Sequence, residues 1–165
     1  MKVLTTIILL TIFYTVTPCS GQTQNQKFEF LESRYGIFKS GDREKDGKVS
    51  ETTIEHSVLD KIELVKKTDR VPAKLGVEFG VEYTLKSKVN ETVRLQIEWR
   101  YPKEILDPSN GEKIKNIKYD IDLPTNFVNN SNYTLEQDFE VVKGDWELLI
   151  YHDNKPIYKR RFVLE

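Results

Sequence analysis

The sequence predicts an all-β protein, an immunoglobulin-like antiparallel β-sandwich of about seven to nine strands. Three observations carry this. Apolar residues recur at every second position through most of the chain, as on strands with one face buried. Clusters of Gly, Pro, Asn and Asp interrupt those runs at short intervals, where strands turn back. Trp99 stands on the apolar side of one run, placed like the core tryptophan of an immunoglobulin-type sandwich.

The elements follow in chain order. Lys2 precedes an uncharged run from Val3 to Val16, and Thr17-Pro18-Cys19-Ser20-Gly21 then supplies breaking and small residues. Residues 1–21 read as a secretory signal peptide, too short for a span of about 20 apolar residues. A lipoprotein would keep Cys19 as its acylated first residue; Pro18 directly before it disfavours that. Residues 22–27 form a polar leader, and 28–165 are expected to fold as one domain. Ser50–Lys67 fits both periods: Ile54, Val58, Ile62 and Val65 suit a helix, whereas Ile54, Val58, Ile62 and Leu64 suit a strand. We read it as a strand.

Leu75, Val77, Phe79, Val81, Tyr83 and Leu85 make the longest alternating run, with Glu78, Glu82, Thr84 and Lys86 on its other face. Leu95, Ile97, Trp99 and Tyr101 alternate with Arg94, Gln96, Glu98 and Arg100, and Pro102 is expected to end that strand. Ile117, Tyr119, Ile121 and Leu123 form a third series; Leu135, Phe139 and Val141 a looser fourth. Trp146, Leu148 and Ile150 come next, then Tyr158, Phe162 and Leu164. Turns are expected at Asp107–Gly111, Asn129-Asn130, Lys143–Asp145 and Asp153–Pro156, the last making a hairpin of the final two runs. No internal repeat or low-complexity segment is present.

Composition narrows the function. Without Lys2, the 25 Lys and Arg become 24 against 26 Asp and Glu, a net charge of −2. Such a balance gives no electrostatic reason to bind nucleic acid or an anionic membrane. Cleavage after Gly21 also removes the one cysteine, so the domain folds without disulfides and has no thiol or zinc-thiolate chemistry.

Ordered motifs then point to a family. Tyr35-Gly36-Ile37, Val71-Pro72-Ala73-Lys74-Leu75-Gly76-Val77-Glu78-Phe79-Gly80, Trp99-Arg100-Tyr101-Pro102, Pro108–Gly111, Gly144-Asp145-Trp146 and the late Phe162 together resemble the bacterial domain-of-unknown-function 3859 family. The similarity runs from about Phe28 to Glu165. It implies an exported, β-rich, immunoglobulin-like protein and brings no catalytic residues with it.

Candidate chemistry is sparse. Asp42, Glu44 and Asp46 occupy positions 1, 3 and 5 of an EF-hand-like loop, with Gly47 at the sharp turn and Ser50 at position 9. Position 12, which needs a bidentate Glu, is Thr53, so Asp42–Ser50 reads as a solvated loop and no metal is assigned. His56 and His152 lack the nucleophile or spaced ligands that catalysis or metal binding requires. Glu78, Glu82 and Glu98 are expected on solvated strand faces, and Lys155–Arg161 in an exposed basic hairpin. Gly76 and Gly80, inside a strand pattern, are expected to mark a bulge or close backbone approach rather than a phosphate loop.

These residues lead to an exported, non-enzymatic binding module without a cofactor, periplasmic or secreted, whose partner is a protein or glycan of the cell envelope. Arg100, with the loop after Pro102, is the candidate contact. The competing readings are an exported carboxylate hydrolase acting on polysaccharide, and a carrier of a small apolar ligand.

Overall fold

A computed structural model describes residues 27–41, 62–108 and 111–165. Cys19, the Asp42–Ser50 loop, His56 and the Ser50–Lys61 part of the ambiguous segment lie outside the described residues. The described residues form nine strands: β1 (Phe28–Lys39), β2 (Glu63–Lys66), β3 (Arg70–Val71), β4 (Glu78–Ser87), β5 (Thr92–Leu106), β6 (Lys113–Pro124), β7 (Val128–Thr134), β8 (Gly144–His152) and β9 (Lys155–Leu164). Of these, β1, β3 and β7 correspond to no alternating run singled out in the sequence. They make two sheets, β2-β1-β4-β7 and β3-β9-β8-β5-β6. Every pairing is antiparallel except that of β3 with the C-terminal strand β9.

Period-two patterning places the core between the sheets. Phe79, Val81, Tyr83 and Leu85 of β4 face Leu95, Ile97 and Trp99 of β5, with Trp146, Leu148 and Ile150 of β8 beside them, all buried. Phe79 is the hub. Its ring meets Trp99 at 5.4 Å, Trp146 at 5.7 Å and Phe162 at 5.2 Å, each edge to face. Antibody domains pack their core tryptophan on a disulfide between the sheets; here an aromatic ring from the opposite sheet meets Trp99 instead. Each such ring pair adds about 0.5–1.5 kcal/mol beyond its buried area.

Polar devices close the sandwich at its sides. Tyr133 donates to Glu140 Oε1 at 2.7 Å, which leaves its oxygen to accept from Tyr101 at 2.9 Å. Glu140 Oε2 takes the backbone N–H groups of Glu136 and Gln137, tying down the turn before β8. On the opposite side Arg160 of β9 lies 3.7 Å over the Tyr35 ring and donates to Glu32 of β1, joining the two sheets. Phe30 is stacked between Tyr83 and Tyr158 at 4.5 and 4.6 Å.

Several expectations need correction. The strand begins at Glu78, because Gly76 sits at φ +77 in a turn and leaves Leu75 exposed. Pro102 does not end β5, which runs on to Leu106 past a register shift between Arg100 and Ile105. Asn129-Asn130 is not a turn but part of β7, where Asn129 is buried and donates to Pro124 and Phe127 carbonyls. The looser Leu135–Val141 run is a short 3-10 turn with flanking loop. Lys143 precedes the strand that Gly144 starts. Of the ambiguous segment, Glu63–Lys66 is strand, paired to β1. The hairpin at Asp153-Asn154 forms as expected, both residues having positive φ as a tight two-residue turn requires.

Candidate functional site

Arg100 lies on the outward face of the five-stranded sheet, and strand pairing assembles a polar platform around it. Glu98 and Arg100 are two apart on β5 and therefore share a face. The β5–β6 register sets Asn116 directly opposite Arg100, and the β5–β8 register sets Glu147 opposite it on the other side. Arg100 grips Glu98 in bidentate fashion, Nε to Oε1 at 2.8 Å and Nη2 to Oε2 at 3.1 Å. Asn116 Nδ2 donates to Oε1 at 2.6 Å and Tyr151 Oη to Oε2 at 2.8 Å.

Glu98 is therefore no solvated surface carboxylate. It is 3 % exposed, covered by the side chains that bind it. Burial alone would raise its pKa, but hydrogen bonds from Arg100, Asn116 and Tyr151, with the Arg100 charge, hold it at about 2. The Arg100 pKa is raised in turn, first by its hydrogen bond to Glu98, then, against the lowering by burial, by the charges of Glu98, Tyr151 and Glu147. A buried carboxylate with four donors is a fixed anchor, and its effect is to hold Arg100 in one orientation.

Arg100 keeps part of its hydrogen-bonding capacity. Nε and Nη2 are spent on Glu98 and Tyr151, while among the described residues Nη1 has only Glu147, at 3.9 Å. The guanidinium side chain is 44 % exposed. Beside it an open cleft of about 370 Å³ is bounded by Arg100, Pro102, Lys115, Asn116, Asp145 and Glu147. Its acidic wall is neutralised from β9: Lys159 bonds Glu147 at 2.5 Å and Arg161 lies 3.4 Å from Asp145. The cleft thus presents two cations, Arg100 and Lys115, above a mixed polar rim.

The other candidates separate from this cleft. Glu82 is also buried, paired through both oxygens to Arg34 on the outer face of the four-stranded sheet. Glu78 accepts from Ser40 and Asn132 on that same sheet. His152, half-buried, packs edge to face on Phe28 at 5.0 Å. Of the basic hairpin, Arg160 turns inward to Glu32, while Lys159 and Arg161 face outward toward the platform. Among the described residues no group of three or more His, Cys, Asp or Glu converges as a metal site, and no helix is long and apolar enough to cross a membrane. Sequence reasoning missed Asn116 and Tyr151. Alternation puts both on outward faces, but only the strand register brings them to Glu98.

Comparison with known proteins adds the following. The family model described as "Domain of unknown function (DUF3859)" matches residues 26–164. An immunoglobulin-like protein from Pseudomonas aeruginosa is similar in structure, with TM-score 0.62 and 22% identity, over 85% of this chain and 99% of that one. A beta-D-glucoside glucohydrolase from Trichoderma reesei overlaps at TM-score 0.35 and 11% identity, over 84% of this chain and 19% of that one. No curated protein matches the chain.

Proposed function

From the premise that the chain belongs to the DUF3859 family, we propose that it is an exported, non-enzymatic binding module. Its contact surface is the outer face of the five-stranded sheet around Arg100. The observation that carries this reading is the Glu98 anchor. Four hydrogen bonds from three side chains converge on one buried carboxylate and leave Arg100 fixed and half-exposed on the rim of an open cleft, its Nη1 3.9 Å from Glu147 of the same rim. Holding a recognition side chain in its binding rotamer lowers the entropy cost of binding. The neighbouring Lys115 and the ion-paired rim suit a partner that brings an acidic or acceptor-rich group, on a protein or glycan of the cell envelope.

A carboxylate hydrolase reading draws on Asp145 and Glu147, which share the cleft. Each already faces a cation on β9, which leaves neither free as the unpaired acid and base that glycoside hydrolysis uses. Incubating the protein with solubilised envelope proteins and with envelope polysaccharides separates the two readings. A binding module gives saturable retention and no product. Released oligosaccharide, abolished by Glu147→Gln, would overturn the proposal in favour of the hydrolase.

A further inference from the structure

β6 is the outer strand of the five-stranded sheet, with β5 on one side and no strand on the other among the described residues. Its pairing with β5 is unbroken from Asn116 to Pro124. A regular free edge of that length offers a row of N–H and C=O groups to another strand. Over this stretch neither a bulge nor an internal proline interrupts the edge, since the register shift comes before Asn116 and the only proline is the terminal Pro124; the charges that guard it, Lys118, Asp120 and Asp122, are of both signs and can pair as well as repel. The core-facing side is incompletely covered as well. The opposing sheet has four strands against five, and Tyr119 is 41% exposed with Ile117 and Ile121 half-buried.

We propose that β6 pairs antiparallel with β6 of a second copy of this chain, about a two-fold axis through Tyr119. Residues opposite each other in an antiparallel pair share a face, so a symmetric pairing must centre on a residue. Centring on Lys118 sets lysine against lysine; centring on Asp120 sets aspartate against aspartate; centring on Ile121 sets Asp120 against Asp122. Centring on Ile117 runs into the register shift beyond Asn116. Centring on Tyr119 instead sets Lys118 against the partner's Asp120, twice by symmetry, and Ile117 against the partner's Ile121. All residues from 116 to 122 then pair within the regular segment.

The side chains have capacity for this. Asp120 accepts from Gln96 at 3.0 Å and Arg94 at 3.5 Å, fewer bonds than a carboxylate takes. Lys118 has its ammonium 5.0 Å over the Tyr151 ring and an exposed stem free to swing toward the edge. The product is one continuous ten-strand sheet with both Arg100 clefts on the same side. The proposal does not depend on what those clefts bind. Edge pairing buries little area, so the dimer is expected to be reversible in the micromolar range.

Sedimentation equilibrium of the purified protein from about 1 to about 500 µM tests this, spanning the range expected for a small interface. The wild type should show a monomer–dimer equilibrium. Lys118→Glu and Asp120→Lys should each weaken it by about tenfold or more, and the double variant should restore it to within about threefold. Tyr119→Cys should cross-link to a dimer under mild oxidation, whereas Asp122→Cys should not. Melting curves of all variants report whether each is folded. A monomer throughout, a dimer indifferent to the charge changes, or a double variant that stays monomeric overturns the proposal.

Discussion

Trp99 and Glu98 are chain neighbours on opposite faces of β5, and each meets burial differently. Trp99 is 1% exposed and its indole Nε1 has no hydrogen-bond partner among the described residues, so the residue contributes through ring packing. Trp99→Ala should therefore destabilise by about 3–5 kcal/mol, while Trp99→Phe, which removes an orphaned donor along with some volume, should cost about 1–2 kcal/mol. Equal losses in urea melts would contradict the packing account. Trp146 supplies the contrast, since its Nε1 donates to the Val142 carbonyl at 2.8 Å. The alternation of Leu95, Ile97, Trp99 and Tyr101 made the core role of Trp99 legible in sequence. The burial of Glu98 was not legible, because it depends on Asn116 and Tyr151 arriving from two other strands.

The four-stranded sheet turns on two facing glycines. Gly36 and Gly80 are register partners on β1 and β4. A Cβ on Gly80 would lie 2.3 Å from the Ser131 carbonyl oxygen, and one on Gly36 would lie 2.0 Å from that of Lys66. Gly36 also holds φ +139, which only glycine adopts freely. Gly36→Ala should destabilise by about 2 kcal/mol or more and speed amide exchange in the β1–β2 ladder near Ile37 and Lys66. Unchanged exchange there would contradict the close-approach reading. Of the two glycines expected to mark a bulge or close backbone approach, Gly80 does mark an approach, whereas Gly76 lies in the turn before β4 with open space, among the described residues, where a Cβ would stand. β7 was not readable, because Asn129, Ser131 and Tyr133 form its inward row and the first two are polar. Their burial depends on partners elsewhere, such as Tyr83 for Ser131 at 3.0 Å. Polar inward residues hide a strand from any search for alternating hydrophobics.

For the whole molecule, the Glu98 anchor ties stability to pH. Its carboxyl has a native pKa of about 2 against an ordinary 4.5, so the native state binds that proton less tightly than the unfolded state does. The stabilisation is complete above about pH 4.5 and is lost as pH falls through 2. It amounts to roughly 2–3 kcal/mol, allowing for a partner half in water. Glu98→Gln should remove this acid-dependent loss from urea melts taken between pH 5 and 2, leaving a flatter profile. The two-sheet architecture and its strand alternation could be read from the sequence, as could Arg100 as an outward candidate. The cleft could not, since β5, β6 and β8 build it together. The most direct test of the central claim is a titration of an envelope partner against wild type and Arg100→Ala, with melting temperatures matched. Binding weakened about tenfold or more in the variant is predicted, the loss of one charge-assisted contact. Equal affinity in the two proteins would contradict it.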